Sequence, residues 1–355
     1  MPKVPAGHAP LTPTPSSPAA LGYRLPAEWE RHAATWLSWP HKRETWPDRF
    51  EPIPTVWARF VKTLAEFEPV HLLAGGAEVM AEARRLVGDT ERVTFHDIAV
   101  NDVWMRDYGP MFLAAPKGLP PLLIDWQYNA WGGKYPPFDR DNEVPGRVAE
   151  LTGRRRVAVD IVLEGGAIDT DGQGTLLTSE QCLLNENRNP QLSKTEIEQS
   201  LADFAGARRV LWLGEGIAGD DTDGHIDELA RFVAPGVVVA AEEPDPADAN
   251  HAPLADNLRR LRSMQDAAGR KLEVVTVRMP RPLFVGDARL PASYMNFYIA
   301  NGVVVVPQFG DPADADAIGT LARLFPDRQI RGQDALDLAW GLGAFHCISH
   351  EQPAD

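Results

Sequence analysis

Two cysteines, Cys182 and Cys347, are spread over 355 residues, and only the second has neighbours that suit reactivity. Cys347 follows His346, after a stretch loosened by Gly341 and Gly343, and is trailed by Ser349, His350 and Glu351. Cys182, in Thr178-Ser-Glu-Gln-Cys-Leu-Leu184, reads as core packing. A free cysteine is most often buried and inert. A nucleophilic thiolate needs a neighbouring base or cation to lower its pKa. Which of the two Cys347 is depends on residues far from it in sequence.

Three polar clusters stand in apolar or glycine-rich surroundings. Trp104-Met-Arg106-Asp107-Tyr-Gly109-Pro110 places an aromatic, a cation and an acid at a turn. Glu164-Gly165-Gly166 puts a carboxylate at the end of an apolar run, before glycines that allow close approach. Asp220-Asp221-Thr-Asp223-Gly-His225-Ile-Asp227-Glu228 holds a histidine among acids. If extended, this last segment points His225 and Asp227 to one face. That suits a histidine working beside a carboxylate, and a His-x-Asp metal-ligand pair equally. Each cluster also has a plain reading as a surface ion pair, a solvated strand-end acid or a loop histidine. Taken together they outline a thiol enzyme with a surplus of acids. Carboxylates around a thiol oppose its ionisation unless the substrate brings positive charge. A guanidinium does so, and its planar N–H fork matches carboxylates in pairs.

The elements that must position these residues alternate. Short apolar runs at 70–74, 93–98, 122–126, 175–177, 210–213, 232–240, 272–277 and 298–307 read as strands. Helical periodicity appears at 77–87, 143–151, 194–204, 254–268 and 313–325, and Ser193 with Glu196 forms a capping box before the third. Five helix signals spaced by about 60 residues hint at a repeated α/β unit. Residues 1–24 are rich in proline and are expected to form a disordered tail. Residues 25–355 are expected to form one catalytic domain. The net charge of −15 favours a small cationic substrate over nucleic acid. No apolar run is long enough to span a membrane. No Gly-x-Gly-x-x-Gly loop supports nucleotide binding. Scarce cysteine and no basic-then-apolar leader pattern point to a cytoplasmic location.

Six motifs in order carry a resemblance: Trp104-x-Arg106-Asp107-x-Gly109-Pro110, Asn129-Ala-Trp-Gly-Gly133, Glu164-Gly165-Gly166, Asn187-x-Asn189-Pro190, Gly224-His225-x-Asp227 and His346-Cys347. From about Leu25 to Pro353 the chain resembles the agmatine deiminase and bacterial, Porphyromonas-type peptidylarginine deiminase family of the pentein superfamily. The resemblance implies a pentein fold, a five-bladed propeller-like α/β arrangement of ββαβ units. It implies hydrolysis of a guanidine, most simply agmatine, with no metal or organic cofactor, and a homodimer is a family expectation. By the same carry-over Cys347 is the nucleophile and His225 the proton donor and water activator. Asp107 and Asp227 hold the guanidinium, Glu164 contacts substrate and orients His225, Trp104 packs on the substrate stem, and Asp221 is a further substrate contact. Peptidylarginine or free arginine is the alternative substrate. A non-catalytic pentein, an amidinotransferase and a His225/Asp227 metalloenzyme are the readings from outside this reaction. The chain departs from the family pattern at Leu342, Ala344, Phe345, Ser349, His350 and Glu351. It departs again at Ala230-Arg231-Phe232, where Arg231 is expected to pair a carboxylate of the protein or of an arginine-like substrate.

Overall fold

The computed structural model describes residues 10–354. Five of its sheets repeat one topology, an antiparallel pair joined to a third, parallel strand through a helix. Parallel neighbours require such a crossover. In the first sheet His32–Ser38 pairs antiparallel with Ser349–Pro353 and parallel with Val70–Leu73, and α1 (Ile53–Ala65) makes the crossover. A fourth strand, Val93–His96, follows α2 (Ala77–Val87) and adds in parallel. The second sheet joins Met111–Leu113, Leu122–Gln127 and Arg155–Val162 through α3 (Asp139–Thr152). The third joins Ile168–Thr170, Thr175–Ser179 and Arg209–Leu213 through α4 (Lys194–Ala205). The fourth joins Ala230–Ala234, Val237–Glu242 and Glu273–Arg278 through α5 (His251–Ser263). The fifth joins Tyr298–Ala300, Val303–Gln308 and Gln329–Asp334 through α6 (Ala313–Leu324). A small separate hairpin pairs Phe284–Val285 with Ala288–Arg289.

The expected α/β class and repeated unit are present, but the five helix signals were not all the repeat helices. The signal at 77–87 is α2, an addition to the first sheet, while the true first crossover, α1, gave no signal. Pro52 and Pro54 disguise its start, although proline is well placed at the first helical positions. Trp57, Phe60, Val61 and Leu64 follow at helical spacing and are fully buried. Each such side chain contributes roughly 1.5–3 kcal/mol of burial. Two long apolar runs were likewise not single strands. Gly236 turns the 232–240 run into a hairpin, and Asn301-Gly302 does the same for 298–307.

The proline-rich segment also needs correction over the residues described; residues 1–9 lie outside them. Leu11 N–H donates to Arg208 C=O at 2.9 Å, and Thr14 Oγ1 donates to Asp203 on α4 at 2.8 Å. Tyr23 is buried in an apolar cluster with Leu113, Leu201 and Ala205. Composition counted the prolines and overlooked these anchors. A larger cluster gathers Trp36, Trp39, Trp46 and Trp57 with the strands of the first, fourth and fifth sheets. Among the described residues no helix is long and apolar enough to cross a membrane.

Candidate active site

Cys347 arrives at its place through a tight approach. A Cβ on Gly343 would lie 2.5 Å from the Trp104 ring and 3.1 Å from Cys347 Cβ, so only glycine fits there. Leu342 stands at φ 71°, a left-handed conformation that a glycine adopts at lower cost. Cys347 lines a cavity of about 330 Å³ together with Trp104, Asp107, Trp131 and Asp221. Its Sγ accepts from Asn296 Nδ2 at 2.9 Å and lies 3.6 Å from Asp227 Oδ2 and 3.9 Å from Glu228 Oε1. Burial pushes the thiol well above its ordinary pKa, and the charges of Asp227, Glu228 and Asp107 push it further. Without a cation present this thiol keeps its proton.

Asp107 sits on the one-turn helix Met105–Tyr108. Its carboxylate accepts from Trp131 Nε1 and from Gly166 N–H, both at 3.0 Å. Trp131 reaches it from a left-handed stretch, φ 54°, fixed by the Asn129 side chain capping Gly132 N–H. Burial, then Asp227 and Glu164, raise the Asp107 pKa well above normal. Gly166 is the close-approach residue: a Cβ there would lie 2.6 Å from His225 Nδ1, 2.7 Å from Asp107 Oδ1 and 3.2 Å from Asp227 Oδ2.

His225 is almost wholly buried, and neither ring nitrogen has a hydrogen-bond partner. Its Nδ1 lies 3.7 Å from Asp107 Oδ1. Burial lowers its pKa to about 3, so the free ring is neutral. Glu164 stands beside it, with donor atoms of the two residues within 4.8 Å. Arg188 ties the pair together: Nε donates to Glu164 Oε1 at 2.6 Å, and Nη2 donates to the C=O of Thr222, three residues before His225. The expected side-by-side His225 and Asp227 of an extended segment is not found. Ile226–Glu228 is a 3₁₀ turn, whose three-residue period sends side chains two apart in different directions. Asp227 bonds His346 Nδ1 at 2.7 Å instead, while still flanking Gly166.

The seven expected residues thus converge, in two layers. Cys347, Asp107, Trp104 and Asp221 face the cavity, and His225, Glu164 and Asp227 are buried behind. Asp221 takes a bond from Tyr135 Oη and, at its C=O, from Lys134. Asn296, Glu228, Trp131, Arg188 and His346 were not assigned roles from sequence. Trp131 and Arg188 lie inside recognised motifs, and Glu228 and His346 adjoin predicted residues; Asn296 carries no motif signal. Arg231 is closed to substrate. It is buried and bonded to Glu28, Asp169 and the carbonyls of Met295 and Phe297. Two triplets crowd their donor atoms, Glu164–Cys182–His225 and Asp227–Glu228–Cys347. Arg188 pairs Glu164 of the first, Asn296 Nδ2 donates to Glu228 and Cys347 of the second, and neither triplet joins His225 to Asp227, the pair of the metalloenzyme reading.

The profile of the Porphyromonas-type peptidyl-arginine deiminase family matches residues 24–353. The chain belongs to that family. An agmatine deiminase of Pseudomonas aeruginosa is 39% identical over 362 aligned residues, covering 96% of this chain and 98% of its own. The solved agmatine deiminase of Enterococcus faecalis superposes with a TM-score of 0.91 at 35% identity, covering 96% of this chain and 99% of its own. An amidinotransferase of Microseira wollei, at 12% identity and a TM-score of 0.50, covers 93% of this chain and 96% of its own, and shares the fold alone. The mixed α/β fold of this deiminase-family chain is thus shared with a solved agmatine deiminase and, as a fold alone, with an amidinotransferase.

Proposed function

We propose that the chain hydrolyses agmatine to N-carbamoylputrescine and ammonia through a covalent intermediate on Cys347. The observation that carries this reading is a thiol that opens on a cavity and is held protonated by its burial and then by the acids Asp227, Glu228 and Asp107 around it. A guanidinium entering among these acids offsets their charge and releases the thiolate. Asp107 and Asp227 hold its nitrogens, and Trp104 packs against the methylene stem. Cys347 Sγ bonds to the guanidinium carbon, and the C–N bond to the departing nitrogen breaks. That nitrogen takes the thiol proton and leaves as ammonia, with His225 passing the proton on. In the second half His225 takes a proton from water, the oxygen adds to the same carbon, and the C–S bond breaks. The ureido product leaves, and the two protons of the water end on the thiol and on ammonia. Glu164, fixed by Arg188, steadies His225.

Agmatine fits better than arginine for a reason on the cavity wall. Glu44, Asp102 and Asp221 line it, and its lysine, Lys42, is already paired with Asp102 at 3.1 Å. An ammonium suits this wall and a carboxylate does not. Arg231 is buried, and among the described residues no arginine lines this cavity to receive an amino-acid carboxylate. We read the five sheets as blades of one propeller-like domain, with the anchored residues 11–24 packed on it, working in the cytoplasm. The test is a substrate panel scored for ammonia and ureido product. Agmatine is expected to exceed free arginine and arginyl peptides in kcat/KM, and Cys347→Ser to abolish release while staying folded. Preference for an arginyl peptide would instead favour the peptidylarginine reading.

A further inference from the structure

His346 has no part in that reaction, yet it bridges two buried carboxylates. Its Nδ1 is 2.7 Å from Asp227 Oδ2, and its Nε2 is 2.8 Å from Glu28 Oε2. Glu28 is held as an acceptor: Ile299 N–H donates to Oε1 at 2.7 Å, and Arg231 Nη2 donates to Oε2 at 2.7 Å, with Arg106 Nη2 at 3.5 Å. The ring must therefore donate to Glu28 from Nε2. Both short contacts are then satisfied only if an additional proton lies between Nδ1 and Asp227, on one or the other. Beyond Glu28 lies a second, water-sized cavity of about 40 Å³, lined by Glu28, Arg106, Asp169, His346, His350 and Glu351.

We propose that Asp227, His346 and Glu28 form a proton relay, loaded in the free enzyme, from which the cationic substrate displaces a proton toward the small cavity. The inference rests on the reading that a guanidinium binds beside Asp227. That carboxylate cannot pair fully with a cation while a proton is held between it and His346. The relay gives the proton a route that does not cross the filled substrate cavity: Asp227 to Nδ1, Nε2 to Glu28, Glu28 to water. The other groups facing the array are Asp107, Glu228 and Cys347 on the substrate side, and Arg106, Arg231, Asp169, His350 and Glu351 on the far side. His346 acts through Asp227 and is a positioning residue.

Calorimetric titration of the Cys347→Ser protein with agmatine, in buffers of differing ionisation enthalpy, counts protons without turnover. The expected result at neutral pH is release of close to one proton per agmatine, with affinity rising by up to about tenfold per pH unit through the window of release. His346→Gln in the same background retains a donor and an acceptor but cannot exchange a proton, and is expected to lose the release. Binding without release in the parent, or full release in folded His346→Gln, overturns the relay and leaves the agmatine reading intact. Failure of Cys347→Ser to bind agmatine counts against that reading instead. If His346→Gln does not fold, as judged by circular dichroism, Glu28→Gln takes its place: diminished release supports the relay, and unchanged release overturns it.

Discussion

The thiol of Cys347 is poised by what it lacks. Its closest ionisable neighbours are acids, so in the free enzyme it is a poor nucleophile. Iodoacetamide should modify Cys347 slowly at neutral pH, with a rate still climbing above pH 9. Glu228→Gln or Asp107→Asn should accelerate it, because each removes a negative charge that raises the thiol pKa. A slower reaction in both variants would count against this electrostatic account. Much of this was legible in the residue types. A cysteine, a histidine and scattered acids call for a cationic substrate, and order along the chain supplied the roles. Asn296 was not legible. Its amide bonds the thiol sulfur and its carbonyl oxygen takes the N–H of Cys347, but it lies 51 residues away in a stretch of ordinary composition. Spacing along the chain does not encode such a contact. The pairing of Asp227 with His346 rather than beside His225 was missed because two residues of 3₁₀ turn and two of strand look alike in sequence.

Short elements set the site, and two of them are glycine turns. Gly166 lets Asp107 and His225 close on one backbone position. Gly166→Ala should cut kcat/KM by about a hundredfold, the cost of displacing catalytic groups by roughly 1 Å. Circular dichroism should stay unchanged; near-normal turnover would show that the site can yield. The larger elements were partly hidden by their own punctuation. Prolines concealed α1, and the hairpins of the fourth and fifth sheets ran through Gly236 and Gly302 without a break in apolar composition. Trp57 on α1 is fully buried among Trp46 and its neighbours, at 6.1 Å between ring centres. Trp57→Ala should cost about 3–5 kcal/mol in chemical denaturation, which would confirm that this unpredicted helix holds the first sheet in place.

At the scale of the molecule, stability against acid depends on histidines kept neutral. His71 stacks on Trp36 at 4.2 Å and contacts His96 at 2.8 Å, and burial with the His96 charge lowers its pKa from 6.5 to about 4. As pH falls, the unfolded chain takes up this proton first. The stabilising effect of a neutral His71 is therefore complete above about pH 6.5 and is lost toward pH 4. His71→Gln should flatten the decline of Tm across that window relative to the parent, and an unchanged slope would exclude His71 as its source. The same first sheet has a consequence in time. Its central strand, His32–Ser38, waits for Ser349–Pro353, whose pairing sets Trp36 against His350 and lies directly after the nucleophile. During synthesis that partner emerges from the ribosome some three hundred residues later. A nascent chain can thus assemble its inner sheets early, but the thiol and the strand that seals the first sheet arrive together. Ammonia release should begin only when that closure does.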